Sequence, residues 1–162
     1  MSESLFDLAH RVVESAVSCG LTVATAESLT AGMVASAIAD VPGASAVLRG
    51  GAVTYCDEIK HEVLGVSSET LALHTAVSRE TARDMASGSR RLFKSDISVS
   101  LTGYAGPDGG TSNDPAGTVY IGIADERGVQ THRFSFEGSR NEVRRDASRV
   151  ALCLILDSIA AS

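Results

Sequence analysis

The chain has 162 residues and a formal net charge of −6, the size of one ordinary domain able to bury a core without staples. Its charges form no like-signed block, which leaves no electrostatic footprint for a polyanionic nucleic acid. Three dispersed cysteines, Cys19, Cys56 and Cys153, and four scattered histidines, His10, His61, His74 and His132, make no Cys-x-x-Cys or zinc pattern, so no disulfide framework and no metal centre are expected, and a reducing cytoplasm is. The first eight residues lack a basic region followed by an apolar run, and no later stretch is apolar enough to span a bilayer.

In chain order, Leu5, Leu8, Ala9, Val12, Val13 and Ala16 recur at helical spacing, with Gly20 as the stop. Leu21 to Thr25 reads as a short strand, after which Ser28 can cap a helix over Met33, Val34, Ala37 and Ile38 that ends at Val41-Pro42-Gly43. A second strand is expected over Gly50 to Tyr55, followed by a short helix opened by Asp57 and Glu58, whose charges suit the positive end of its dipole. Further helices are expected from Ser67 to Leu73 and from Ser78 to Leu92. Ile97, Val99 and Leu101 alternate with Ser98 and Ser100, the pattern of a strand with one buried face. A glycine-rich stretch, Gly103 to Gly117, comes next; irregular segments of that length tend to be functional. Thr118 to Ala124 and Gln130 to Phe136 flank a turn at Asp125-Glu-Arg-Gly128 and read as a hairpin. The chain closes on a long helix with Val143, Ala147, Val150, Ala151, Leu154 and Ile155 inward. Strands interleaved with helices predict a three-layer α/β/α sandwich around a mixed, mostly parallel sheet, with residues 1–162 as one domain.

Between Gly43 and Lys60 the chain carries Ser45, Tyr55 and Lys60, residue types that together can make a hydrolase. A serine hydroxyl needs a base, and a lysine amine serves as one only when burial or a neighbouring dipole keeps it unprotonated. On spacing alone Ser45 reads first as a helix cap, Tyr55 as a core aromatic and Lys60 as a solvated partner of Asp57. Ser45 and Tyr55 are also ten residues apart, roughly 33 Å if fully extended, so Ala46 to Arg49 must bend back for the two to meet. Glu27, Ser28 and Thr30 lie between the end of a strand and the start of a helix, where open α/β sheets hold ligands. The glycine-rich segment is neither a Walker loop nor a dinucleotide fingerprint; its backbone N–H groups at Gly103, Ala105 and Gly106 can approach a ligand or line an oxyanion hole.

Three blocks, Thr25-Ala-Glu-Ser-Leu-Thr-Ala-Gly32, Gly43 to Lys60, and Thr102-Gly-Tyr-Ala-Gly-Pro-Asp-Gly-Gly110, in this order and spacing resemble the family of the CinA C-terminal domain, whose stand-alone members are nicotinamide mononucleotide deamidases. Leu29 and Ala31 depart from the Ser-Cys-Thr-Gly-Gly that family members usually carry, a change that bears on pocket shape. The resemblance implies hydrolysis of the carboxamide of nicotinamide mononucleotide with Ser45 as nucleophile, Lys60 as base and Tyr55 orienting or relaying the proton. Substrate contacts are expected from Glu27, Ser28, Thr30, Gly103, Ala105 and Gly106 at the two loops, and from Arg145 among the arginines of the last helix, for an anionic group. No cofactor is implied. The expected partner is the small-molecule nucleotide, with no nucleic acid and no membrane, and a homo-oligomer is the expected assembly. Two rivals are a catalytically silent module associated with competence or DNA damage, and an amidase using Cys56.

Overall fold

The computed structural model describes residues 3–162. Its elements are α1 (Leu5–Cys19), β1 (Val23–Glu27), α2 (Met33–Ala39), a single 3-10 turn (Ala44–Ala46), β2 (Leu48–Val53), α3 (Asp57–Leu64), α4 (Ser68–His74), α5 (Arg79–Phe93), β3 (Ile97–Gly103), β4 (Thr118–Asp125), β5 (Gly128–Ser135) and α6 (Arg140–Ala160). The strands form one mixed sheet in the order β2-β1-β3-β4-β5. Its core β2-β1-β3 is parallel, and β4 and β5 add an antiparallel hairpin at one side. Helices α1, α2 and α6 pack together on one face and α5, flanked by α3 and α4, crosses the other, so the expected α/β/α sandwich is what forms.

Helix starts follow local chemistry. Ser4 with Asp7 and Ser139 with Glu142 close capping boxes on α1 and α6, while Ser67 and Ser78 cap α4 and α5; each satisfies backbone N–H groups that a helix start leaves unpaired. Two strands sit about two residues from their expected limits, because β1 and β2 are defined by where they pair rather than by their own apolar runs.

One expectation about the sheet is corrected. The alternation in Ile97 to Leu101 predicts one solvated face, yet Ser98 and Ser100 are fully buried. Strand β3 is the centre of the sheet and carries helices on both sides, so its serines face α5. Ser100 Oγ donates to the Ala82 carbonyl at 2.6 Å, which meets the requirement that a buried hydroxyl find a partner. The same face shows how α3 is seated: a side chain at Gly88 of α5 would lie 1.8 Å from the Leu64 carbonyl. The absence of a Cβ there lets α3 come down onto α5 and carries Lys60 inward.

The far end of α6 is pinned by Asp125 at the β4–β5 turn. Its carboxylate pairs with Arg127 and accepts from Ser158 Oγ at 2.7 Å, and the hydrogen bond from Arg127 is the main reason its pKa is lowered to about 2. A carboxyl depressed in the folded state stabilises above its unfolded pKa and loses that contribution as pH falls toward the folded value. Asp125→Asn is therefore expected to cost about 2 kcal/mol at neutral pH. The gap to wild type should close between about pH 4 and pH 2, as read by chemical denaturation across that range.

Candidate active site

The carboxyl ends of β1 and β3 and the segment leaving β2 converge on one cleft of about 200 Å³, lined among others by Ser28, Tyr55, Lys60, Ala105, Asp108 and Arg140. At its floor Lys60, only 1% exposed, is the largest fully buried side chain of the described residues. Its Nζ lies 3.0 Å from Ser28 Oγ, 2.9 Å from the Thr54 carbonyl oxygen and 3.4 Å from that of Tyr55. No carboxylate pairs with it within salt-bridge distance among the described residues. Burial pushes its pKa down, with Asp57 and Cys56 opposing more weakly.

The three contacts match a neutral amine. An uncharged lysine has two N–H groups and one lone pair; the two carbonyls accept the hydrogens, and the lone pair faces the Ser28 hydroxyl. When the amine takes the serine proton, the resulting ammonium has three N–H groups for three acceptors, the third now the Ser28 oxygen. Both protonation states are thus satisfied without rearrangement, which is what a base that cycles between them requires.

Ser28 is held in place from several directions. Its N–H donates to the Leu101 carbonyl at 3.0 Å and its own carbonyl accepts from the Ala31 N–H at 3.0 Å. Ala31 and Gly32 then follow in left-handed conformations, with φ of 49° and 95°. Arg144 reaches the same turn from α6, its Nε donating to the Leu29 carbonyl at 2.8 Å and its Nη2 to that of Thr30 at 3.3 Å. Beneath it, the fully buried Glu27 carboxylate accepts from the N–H groups of Gly32, Val34 and Ala35 at 3.1, 3.2 and 2.9 Å. It caps α2 and places a negative charge at the positive end of its dipole.

Several expected contacts are therefore corrected. Glu27 has its carboxylate committed to the start of α2 and does not line the cleft. Ser28 is not the cap of α2, the task Glu27 performs; it is the hydroxyl that meets Lys60. Thr30 is fully buried and does not line the cleft. Ser45 sits on the exposed 3-10 turn before β2. The turn is present as the spacing required, but it leads into β2 rather than back toward Tyr55. Leu48 pairs with Val23 at the start of β1 and Val53 with Glu27 at its end, which separates Ser45 from the Ser28–Lys60 contact by the length of the strand, roughly 17 Å for five residue steps. Tyr55 is near the dyad but 56% exposed; its hydroxyl accepts from Arg140 Nη2 at 2.9 Å, which makes it part of the rim.

On the opposite wall Gly103 and Ala105 line the cleft, whereas Gly106 turns its carbonyl to Arg140 Nη1 at 3.1 Å. A Cβ on Gly103 would sit 2.5 Å from the Thr118 carbonyl, so only glycine lets β3 and β4 continue to the rim. The loop is tied back by Asp114, whose Oδ1 accepts from the Tyr120 hydroxyl and from Arg133 Nε, each at 2.9 Å. The N–H groups of Ala105 and Gly106 donate to no backbone acceptor among the described residues. They are candidates to hold a developing oxyanion. Arg145 is exposed and outside the cleft; Arg140, the first residue of α6, lines it instead, and Arg144, one helical turn on, holds the Leu29–Thr30 turn. The signal for Arg140 was available: it follows Ser139, and the Ser139-x-x-Glu142 capping box marks the helix start that faces the loops.

Residues 5–159 match the family model described as the CinA C-terminal domain. The chain belongs to this family. Relatives include a CinA-like protein of Endomicrobium trichonymphae, 46% identical over 134 residues that make up 83% of this chain and 31% of the relative, and one of Geobacter sp. strain M21, 50% identical over 125 residues that make up 77% and 30%. The chain thus spans about a third of the length of these curated relatives. Among solved structures it resembles a competence-damaged protein (CinA) superfamily protein from Klebsiella pneumoniae, with a TM-score of 0.95, 35% identity and 99% and 100% of the two chains covered. It also resembles the competence/damage inducible protein CihA from Agrobacterium tumefaciens, with a TM-score of 0.92, 37% identity and 99% of both chains covered. The CinA fold therefore carries the cleft described above. Among the described residues no group of three or more His, Cys, Asp or Glu side chains is placed to hold a metal ion, and no helix is long and apolar enough to cross a membrane.

Proposed function

We propose that this CinA-family chain hydrolyses the carboxamide of nicotinamide mononucleotide to nicotinic acid mononucleotide and ammonia, with Ser28 as nucleophile and Lys60 as base. The observation that carries this reading is the buried Lys60 amine, lowered in pKa and 3.0 Å from Ser28 Oγ at the floor of an open cleft. The substrate comes from the resemblance to the stand-alone deamidases of the family. Lys60 accepts the Ser28 proton as Oγ attacks the amide carbon, and backbone N–H groups of the Ala105–Gly106 segment stabilise the oxyanion. The tetrahedral adduct collapses with breakage of the C–N bond, and the Lys60 ammonium returns the proton to the departing nitrogen, releasing ammonia. Water, deprotonated by the same amine, then cleaves the acyl ester on Ser28 and frees the carboxylate product.

A positioned base contributes about 10²–10⁴-fold and an oxyanion donor about 10²–10³-fold. The direct test is ammonia release from nicotinamide mononucleotide by purified protein, with the acid nucleotide appearing in equal amount. Failure to release ammonia from this substrate, under conditions where the folded protein binds it, would leave the binding-module reading in its place.

A further inference from the structure

The rim of the cleft carries a charged group that the dyad does not use. Asp108, in the glycine-rich loop, lines the cleft and is exposed. It has no ion-pair partner among the described residues, although Arg140 lines the same cleft. The Arg140 guanidinium is instead occupied by neutral acceptors, the Gly106 carbonyl and the Tyr55 hydroxyl. Lys60 is uncharged in its reactive form. The reactive cleft therefore presents one anion and one cation that do not neutralise each other. Two aromatic side chains, Tyr55 and Tyr104, stand on the same rim, and the Tyr104 ring lies beside Gly109, 3.7 Å from where a Cβ on that residue would be.

A carboxylate with aromatic faces beside it is an arrangement that favours a flat organic cation, through charge attraction and the negative face of the rings. Resting on the carboxamide-hydrolase reading, we propose that Asp108 is a specificity-determining residue that selects a carboxamide borne on a positively charged ring over the same carboxamide on a neutral ring. Arg140 then has the complementary task of accepting the anionic end of the ligand. A ligand with both signs of charge gives each group the opposite charge it lacks in the protein. Because the rim is open to solvent, the selection is modest, about three- to tenfold, the scale of a partly screened charge and a cation over an aromatic face.

The test compares nicotinamide mononucleotide with its reduced 1,4-dihydro form, which keeps the carboxamide and phosphate but has an uncharged ring. The intrinsic reactivities of the two amides differ, so the quantity to follow is the ratio of their kcat/KM values in wild type divided by that ratio in Asp108→Asn. A fall of about three- to tenfold in the preference for the cation, restored by Asp108→Glu, supports the proposal. An unchanged ratio, whether both substrates suffer equally or neither does, overturns it. Calorimetric binding of both compounds to Ser28→Ala protein, with and without Asp108→Asn, reads the same preference without turnover. Absent turnover in otherwise wild-type protein, together with a charge preference in binding that Asp108→Asn removes, would end the hydrolase reading and support the role of Asp108. Binding with no charge preference would overturn the role of Asp108 whatever the turnover.

Discussion

Ser28→Ala is expected to lower turnover of nicotinamide mononucleotide by about 10⁴–10⁶-fold, the range seen when one member of a cooperating nucleophile and base is removed, while the protein stays folded. Folding should survive because the turn that carries Ser28 is held by its backbone, through the Leu101 carbonyl and Ala31 N–H, and by Arg144. The Lys60 amine also keeps two carbonyl acceptors in the mutant. Ser45→Ala is the informative companion. Ser45 lies on an exposed turn at the other end of β2, so its loss should leave turnover close to wild type and stability within about 0.5 kcal/mol. Steady-state ammonia release from both variants decides the matter: an active Ser28→Ala protein beside an inactive Ser45→Ala protein would reverse the assignment. A third variant, Cys56→Ala, should remain active, because Cys56 is exposed, precedes α3 and does not line the cleft.

Lys60 gives the second large effect. Lys60→Arg should be as inactive as Lys60→Ala, a loss of about 10²–10⁴-fold or more, because a guanidinium stays protonated and cannot accept the serine proton. If charge alone were needed, for instance to hold a phosphate, Arg would recover much of what Ala loses. Activity of wild type should rise with pH along one ionisation that lies below the ordinary lysine value, since burial lowers the Lys60 pKa. Stability carries the same signature. Between the lowered folded value and the unfolded one the unfolded chain binds more protons, so the free energy of unfolding increases with pH through that window. Lys60→Met cannot titrate and should lose this slope, which denaturant unfolding from neutral to alkaline pH will read. Equal slopes in the two proteins would mean that the amine is not desolvated in the native state.

Nearly all of the fold was legible in the chain because its signals are local. Gly20 ends α1 with φ of 67°, the serines at 4, 67, 78 and 139 start helices, and the turn near Arg127 joins β4 to β5. Apolar periodicity then assigns the inward faces, and alternation of element types leaves an α/β sandwich as the packing that buries them. The alternating serines of β3 misled because period-two polarity reports which side chains share a face, not whether that face is wet. A strand at the centre of a sheet has both faces covered, and a hydroxyl small enough to pack there is buried with it; Ser100 donates to the Ala82 carbonyl.

The site divides along the same line. Residue types and spacing alone made Ser45, Tyr55 and Lys60 candidates for one chemistry, made the segments at Glu27 to Thr30 and Gly103 to Gly106 candidate ligand loops, and carried the resemblance to the CinA C-terminal domain. Which serine meets the lysine depends on tertiary packing. Ser28 and Lys60 are 32 residues apart, and they touch because β1 ends beside the segment leaving β2 and because Gly88 allows α3 to settle onto α5. Ser45 is closer in sequence but farther in space, since the chain between it and Tyr55 is an extended strand. Proximity along the chain is preserved by helices and turns and spent by strands, at about 3.3 Å for each residue, and long-range pairing across a sheet is set by the whole set of packed elements rather than by any segment that could be read alone.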